Sequence, residues 1–327
     1  MDYTPGGGAA GQLHSLSPVE VRSVLYISAA LLLFFNLLWG PAGLDWGVIE
    51  AVRVPRVLGA VLAGAALSLA GLLLQTALRN PLADPYVLGV SGVSALTALS
   101  SYLAWRFFHM QYVGYLGGAL AGAAVASLLL LTLSTRTSLY AVLIAGVMMA
   151  FLTSAVLQLL LMLLPPEELG YVYLAMQGSF AAYPPGAVGY ALALALVPVV
   201  AVAWRYSRWI AAYAHGEEAA AGLGVPVRRV NVLITALAAA ATGLAVASVG
   251  PVGFIGLMAP HIARWSAGSH RFDKLVTPAV ASGIALALLA DAVTRALLPR
   301  DVPSSVVMSL VGVPFAVALF WRYVRGV

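Results

Sequence analysis

Residues 53–85 read RVPRVLGAVLAGAALSLAGLLLQTALRNPLADP. Between Arg56 and Arg79 lie 22 residues, Val57 to Leu78, with no charge among them. That is the length an α-helix needs to cross the hydrocarbon core of a bilayer. Pro55 suits a first helical turn, where its missing N–H costs nothing. Gly59, Ala63, Gly64, Ala66 and Gly71 crowd the run, and small side chains let membrane helices approach closely. The stretch predicts a membrane helix packed against others, followed by a stiff turn with two prolines, Pro81 and Pro85, each directly preceded by an Asx residue, Asn80 and Asp84.

The rest of the chain repeats the pattern. Charge-free or nearly charge-free runs recur at Val24–Leu44, Pro85–Trp105, Phe107–Thr135, Ser138–Pro166, Ala187–Trp204, Val230–Val249, Leu275–Leu298 and Val302–Trp321, with a shorter one at Gly253–Ala263. With Val57–Leu78 they predict an all-α membrane protein of about ten transmembrane helices. Composition agrees: of 327 residues, 62% are hydrophobic and 9% charged, where a soluble domain carries about 25% charged residues. This excludes a disordered chain, a nucleic-acid-binding domain and a disulfide scaffold, and it makes the bilayer the expected solvent. The absence of cysteine removes thiolate metal sites and disulfides. A tail over residues 1–22 precedes a transmembrane domain over 23–327, and the first run is too long to read as a cleaved signal.

Lys and Arg set the orientation. With the N-terminus inside, twelve of the seventeen fall on inner segments, and Arg53, Arg56, Arg106, Arg295 and Arg300 fall outside. Both termini are therefore expected to be cytoplasmic, in a multi-pass protein of the cell (inner or plasma) membrane. Arg53 and Arg56 would sit near a helix N-terminus, which the macrodipole disfavours. Either Asp45 and Glu50 compensate them, or an acidic partner docks from outside, for which the bidentate arginine fork is suited.

Two inner segments and one broken one stand out. Arg79, Asn80, Pro81 and Asp84 form the stiff inner turn. The longest inner loop, about 206–229, contains His215-Gly-Glu-Glu-Ala-Ala-Ala-Gly-Leu-Gly224. There Glu217 to Ala221 reads as a short helix with acids in its first turn, stopped by Gly222 or Gly224, and it is a handle for a soluble partner. Gly250, Pro251, Gly253, Gly256 and Pro260 will break a helix at membrane depth, which is tolerated where the backbone is buried in protein or lines a cavity. His261, in the same segment, is read as a hydrogen-bonded residue near the inner interface, and Asp291 as a partner of Arg295 one turn on. No Walker A motif is possible, because the one lysine, Lys274, follows Asp273. With no HExxH and no GxSxG, no catalytic or metal-binding residues are assigned.

Taken in order, these blocks resemble the FecCD-type permeases, the membrane subunits of ATP-binding-cassette importers for ferric siderophores, haem and vitamin B12. The matching blocks are Arg53-Val-Pro-Arg56, Arg79-Asn-Pro-Leu-Ala-Asp-Pro85, Gly216-Glu217 with Leu223-Gly224-Val225, Gly250-Pro-Val-Gly-Phe-Ile-Gly256 with Pro260-His261, Asp291 with Arg295, and Val302-Pro303 with Gly312. Leu174–Ser179 looks like the family's outer element ending in Gly-Ser. The resemblance implies a type II importer permease that works as a pair, a homodimer here, with the pathway at the subunit interface lined by the fifth and tenth helices. It implies two ATPase subunits on the inner face, a substrate-binding protein on the outer face, and ATP and Mg on the ATPase with no cofactor on this chain. It places Arg53, Arg56 and Arg295 against acidic groups of the binding protein, with Arg300 added from its outer position. It places the ATPase-coupling helix at Glu217, Glu218, Ala221, Leu223 and Gly224. The rival reading is a self-contained secondary transporter or channel, which needs ionisable groups in mid-span. Asp291, Arg295 and His261 all lie towards helix ends.

Overall fold

The computed structural model describes residues 18–40, 43–109, 114–296 and 302–324. Its helices are α1 (Pro18–Leu38), α2 (Val54–Leu78), α3 (Val90–Phe108), α4 (Gly114–Ser134), α5 (Leu139–Leu161), α6 (Pro166–Ala175), α7 (Gly186–Arg205), α8 (Ser207–Tyr213), α9 (Glu217–Gly222), α10 (Val227–Val249), α11 (Ile255–Ala267), α12 (Phe272–Ala296) and α13 (Ser304–Val324). Among the described residues, eight of them are long and apolar enough to cross a membrane: α1, α2, α4, α5, α7, α10, α12 and α13. The two other predicted spans are present as helices but differ in kind. Serines and a threonine dilute the 19-residue α3, and α11 has 13 residues because the break at 250–254 takes the rest of its run. The predicted tail overlaps α1, which begins at Pro18.

The stretch that decides the fold forms its centre. From Pro55 to Leu78 nearly every residue of α2 is buried, and α10, α11 and α12 pack around it. Its glycines let backbones touch. A β-carbon on Gly64 would stand 2.5 Å from the Gly283 carbonyl oxygen of α12, and one on Gly71 would stand 1.9 Å from that of Gly256 in α11. No side chain fits in either place, so cohesion comes from close backbone contact. In contrast, α1, α5, α7 and α13 show large apolar side chains on their outward faces, among them Leu31, Phe151, Leu194 and Leu310. Such faces need lipid or another apolar protein surface against them.

All seven tryptophans lie near helix ends and all are exposed. Trp39, Trp46 and Trp105 are at the predicted outer end. Trp204, Trp209, Trp265 and Trp321 are at the predicted inner end. Amphipathic indoles collect at the two membrane–water interfaces, so the two belts bracket the bilayer around the bundle.

Candidate functional site

At the predicted outer end the structure departs from the expectation of outward-facing arginines. Asp45 caps the chain's return into the membrane, its Oδ1 accepting from the Gly47 N–H at 2.8 Å. One turn of π-helix, Ile49–Arg53, then leads into α2. The wide turn swings Arg53 back to the C-terminus of α1, where its guanidinium donates to the carbonyls of Leu37, Leu38 and Gly43. A cation there offsets the macrodipole of α1 and satisfies carbonyls that the helix end leaves without partners. Arg56, one turn on, points into the bundle. Its Nε donates to Asp291 Oδ1 at 2.5 Å and its Nη2 to Thr294 Oγ1 at 3.1 Å.

Asp291 also faces Arg295 across one turn of α12, with Arg295 Nε 3.2 Å from Oδ2, as the sequence spacing predicts. Arg295 reaches on to the carbonyl and side-chain oxygens of Asn36 in α1. Asn36 in turn donates to the Leu288 carbonyl of α12 at 3.1 Å. The relative exposures of Arg53, Arg56, Arg295 and Asp291 are 3%, 6%, 9% and 0%. These arginines therefore tie α1, α2 and α12 together. The acid that meets Arg56 is neither Asp45 nor Glu50 but Asp291, more than two hundred residues away in sequence, and Arg53 is met by backbone carbonyls instead of an acid. Asn36 was not picked out from the sequence, although a lone amide in an apolar run is the signal for it. Arg300 lies outside the described residues.

Past the end of α10, the predicted break becomes a junction of four chain segments. Helix α10 ends at Val249 and Gly250 takes φ +75°. The Val249 carbonyl accepts from the Ser179 N–H at 2.8 Å, and the Gly178 carbonyl accepts from the Ser305 N–H at 2.9 Å. The Val252 N–H donates to the Tyr86 hydroxyl at 2.6 Å. Gly178 has no room for a side chain, since a β-carbon would lie 2.0 Å from the Pro251 carbonyl oxygen. Phe254, at the start of α11, lies against Gly312 of α13 in the same way. Protein groups thus meet the Val249 carbonyl and the Val252 N–H at the break, as irregular backbone inside a membrane protein requires. Gly253 has open space beside it. Gly256 packs under Pro85, and Pro260 lies buried inside α11.

The predicted inner end joins the two loops singled out in the sequence. Arg79 ends α2 with φ +52°. Asn80 accepts from the Leu82 N–H and Asp84 from the Tyr86 N–H, both at 2.9 Å. These two Asx turns give the stiffness expected of the segment. Burial pushes the Asp84 carboxyl up to about 6 against the opposing pull of the Tyr86 N–H. The His261 Nε2–H donates to the Pro81 carbonyl at 2.9 Å, so this histidine is hydrogen-bonded as predicted. Gln75, buried, donates to the carbonyls of Ala83, Gly256 and Leu257 and accepts from Arg264 at 2.8 Å. It fastens α2, the inner turn and α11 in one place, and the sequence reading passed over it.

Helix α9 falls where the sequence puts it. The N–H of Val225 bonds the Ala220 carbonyl and that of Gly224 the Ala221 carbonyl, at 3.0 and 2.9 Å, with Gly224 at φ +77°. This is the paired closure of a helix by a left-handed glycine. Ala220 faces inward, Glu217, Glu218 and Ala221 are exposed, and Leu223 is 71% exposed. The Tyr213 hydroxyl donates to Glu217 at 2.8 Å, and burial, then this carboxylate, push its acidity down. Arg79 lies against Gly216. The two segments share a cleft of about 510 Å³ lined by Arg79, Tyr140, Tyr213, His215, Glu217 and Glu218. Beyond α9, Arg228 donates from Nε to the Thr135 carbonyl at 2.8 Å, and Asn231 to that of Thr137 at 3.2 Å. The first turns of α10 are thereby tied to the bend that starts α5. Among the described residues no cluster of three or more His, Asp or Glu suited to a metal ion occurs.

The chain matches the model of the FecCD transport family over residues 22–322. It is 36% identical over 293 residues to the ferric enterobactin transport system permease protein FepD of Escherichia coli (strain K12), covering 86% of this chain and 84% of that one. It is 33% identical over 301 residues to the hemin transport system permease protein HmuU of Yersinia pestis, with 90% and 89% covered. Among solved structures, a chain of a metal-chelate type ABC transporter in an inward-facing conformation shares the fold with a TM-score of 0.82 and 27% identity, over 94% of this chain and 100% of that one.

Proposed function

Because the chain belongs to the FecCD transport family, we propose that it is the membrane subunit of an importer that carries an iron chelate, siderophore or haem, inward at the expense of ATP hydrolysed by a separate subunit. The observation that carries this reading is α9. It is a short helix closed at its C-terminal end by Gly224, with Ala220 packed down and Leu223 exposed beyond it. An exposed leucine on a rigid, capped knob is an anchor for a cleft in a partner. ATP and Mg belong on that partner.

The mechanical path from α9 runs through hydrogen bonds already described. Displacement of α9 pulls on α10, and Arg228 and Asn231 pass it to the bend before α5. At the other margin, α9 shares its cleft with the inner turn, which Gln75 and His261 fasten to α11. Helices α5 and α13, the fifth and tenth of the predicted spans, keep apolar faces uncovered in the single chain. A second copy packed there would complete the pathway, and alternate tilting of the two copies would open it to each side. The outer end receives the substrate-binding protein. There the buried arginines act by holding α1, α2 and α12 in register beneath the docking surface. The tryptophan belts and the excess of Arg at the α9 end support a multi-pass orientation in the cell membrane with both termini cytoplasmic.

The test is reconstitution into liposomes with the ATPase and binding protein. Cargo-stimulated ATP hydrolysis and uptake of a ferric chelate or haem are expected, and both should be lost in Leu223→Asp while the permease remains folded and dimeric. Uptake without the ATPase overturns the proposal, and stimulation by a corrinoid alone changes the cargo.

A further inference from the structure

The membrane surface between α7 and α12 is not smooth. A groove of about 490 Å³ runs between them, floored by Val61 of α2 and walled by Val197, Val200 and Trp204 of α7 and by Val276 and Val280 of α12. Ala193 and Trp204 mark its extent along α7, which is about 16 Å at the helical rise. Val197 and Trp204 are more than half exposed, so the groove opens outward, away from the bundle. One polar side chain, Thr277, lines it.

The groove ends where positive charge begins. Trp204 is followed by Arg205, α8 carries Arg208 and Trp209, and Lys274 stands two residues before Val276. Helix α8 packs against α12, so the two basic segments meet at one mouth. All three basic side chains are exposed. Among the described residues none of the three forms an ion pair, and Asp273, the acid adjoining Lys274, is engaged with Arg271 at 2.9 Å. The Arg205 guanidinium lies 5.6 Å from the centre of the Tyr206 ring, and that ring lies 5.2 Å from Trp209. Aromatic side chains at this level sit among lipid headgroups. Arginine forks suit phosphate oxygens, and clustered basic residues beside a membrane select anionic lipid.

We infer that the α7–α12 groove is a binding site for an anionic phospholipid, with an acyl chain along Val61, Val197 and Val280 and the headgroup phosphate between Arg205, Arg208 and Lys274. The inference requires only that the chain spans a bilayer and is independent of the cargo. The lipid would brace α8, and through it the segment that leads to α9.

Native mass spectrometry and thermal melting of the purified full-length permease in neutral detergent, with phosphatidylglycerol, phosphatidylcholine or glycerol phosphate added, test it. Phosphatidylglycerol should stay bound and raise the melting temperature, with phosphatidylcholine about tenfold weaker and glycerol phosphate without effect. Each basic side chain near the surface is worth about fivefold in anionic-lipid affinity. The double substitution Arg205→Gln with Arg208→Gln should therefore cost about 25-fold. Ala201→Phe, which fills the lipid-facing groove, should displace both lipids. Arg136→Gln, an exposed charge elsewhere at the same end, serves as the control and should change nothing. Equal binding of the two phospholipids, protection by glycerol phosphate alone, or an equal loss in Arg136→Gln would each overturn the inference.

Discussion

Removing the Asp291 carboxylate should unfasten the outer end of the bundle. In the native chain that carboxylate is fully buried and contacts Arg56 at 2.5 Å and Arg295 at 3.2 Å. In Asp291→Ala two guanidinium groups would face one another in a low-dielectric site with no counter-charge. Breaking a buried pair by deleting one partner costs about 3–5 kcal/mol. Taking about 2 °C per kcal/mol for a chain of this size, the melting temperature falls by about 6–10 °C. Asp291→Asn restores the shape without the charge and should recover only part of this. The triple replacement Arg56→Met, Asp291→Leu, Arg295→Met removes every uncompensated charge and should recover most of the loss. The assay is fluorescence-detected size exclusion of the detergent-solubilised permease after heating. Because the site is buried, 0.5 M salt should change none of these differences, whereas a contact on the exposed surface would weaken. An Asp291→Ala protein that melts within about 2 °C of the native one would show that this ion cluster does not hold α1, α2 and α12 together.

Three further outcomes follow from other parts of the molecule. Gly71→Leu should yield no monodisperse permease on size exclusion, because a β-carbon there already meets the Gly256 carbonyl oxygen at 1.9 Å. The double substitution Arg228→Gln with Asn231→Ala should leave the complex with the ATPase intact by pull-down but abolish cargo-stimulated hydrolysis, since it cuts the three hydrogen bonds to the bend before α5. The Asp84 carboxyl ionises near 3.8 when unfolded and near 6 in the native chain. Between those values the unfolded chain has lost the proton and the native one has kept it, so stability declines as pH rises through that window. Asp84→Asn should flatten that slope in melting temperatures measured from pH 4 to pH 7.

The sequence revealed whatever depends on near neighbours. Charge-free runs located the spans because a bilayer penalises each charge in them. The Asx–Pro pairs located the inner turn, and Gly224 located the end of α9, because turn and cap chemistry is decided within a few residues. The break at Gly250–Gly256 was visible for the same reason. The helix count is less sharply drawn, since α3 is diluted by hydroxyl residues and α11 is cut short by the break.

Side-chain direction at the outer end was not legible, and the reason is physical. From the sequence, Arg53 and Arg56 are two like charges at a helix start. Whether they turn to water or inward depends on the buried acceptors that wait for them, and for Arg56 that acceptor is Asp291, 235 residues away. The π-helical turn at Ile49–Arg53 decides the matter for Arg53. It shifts the residue round the helix axis from where a regular helix would put it, and so delivers the guanidinium to the bare carbonyls of α1. The Asp291–Arg295 pair, four residues apart, was legible. The third member of the cluster was not. A pairing rule read along one helix therefore finds two of the three charges, and the one it misses is the one that joins separate helices.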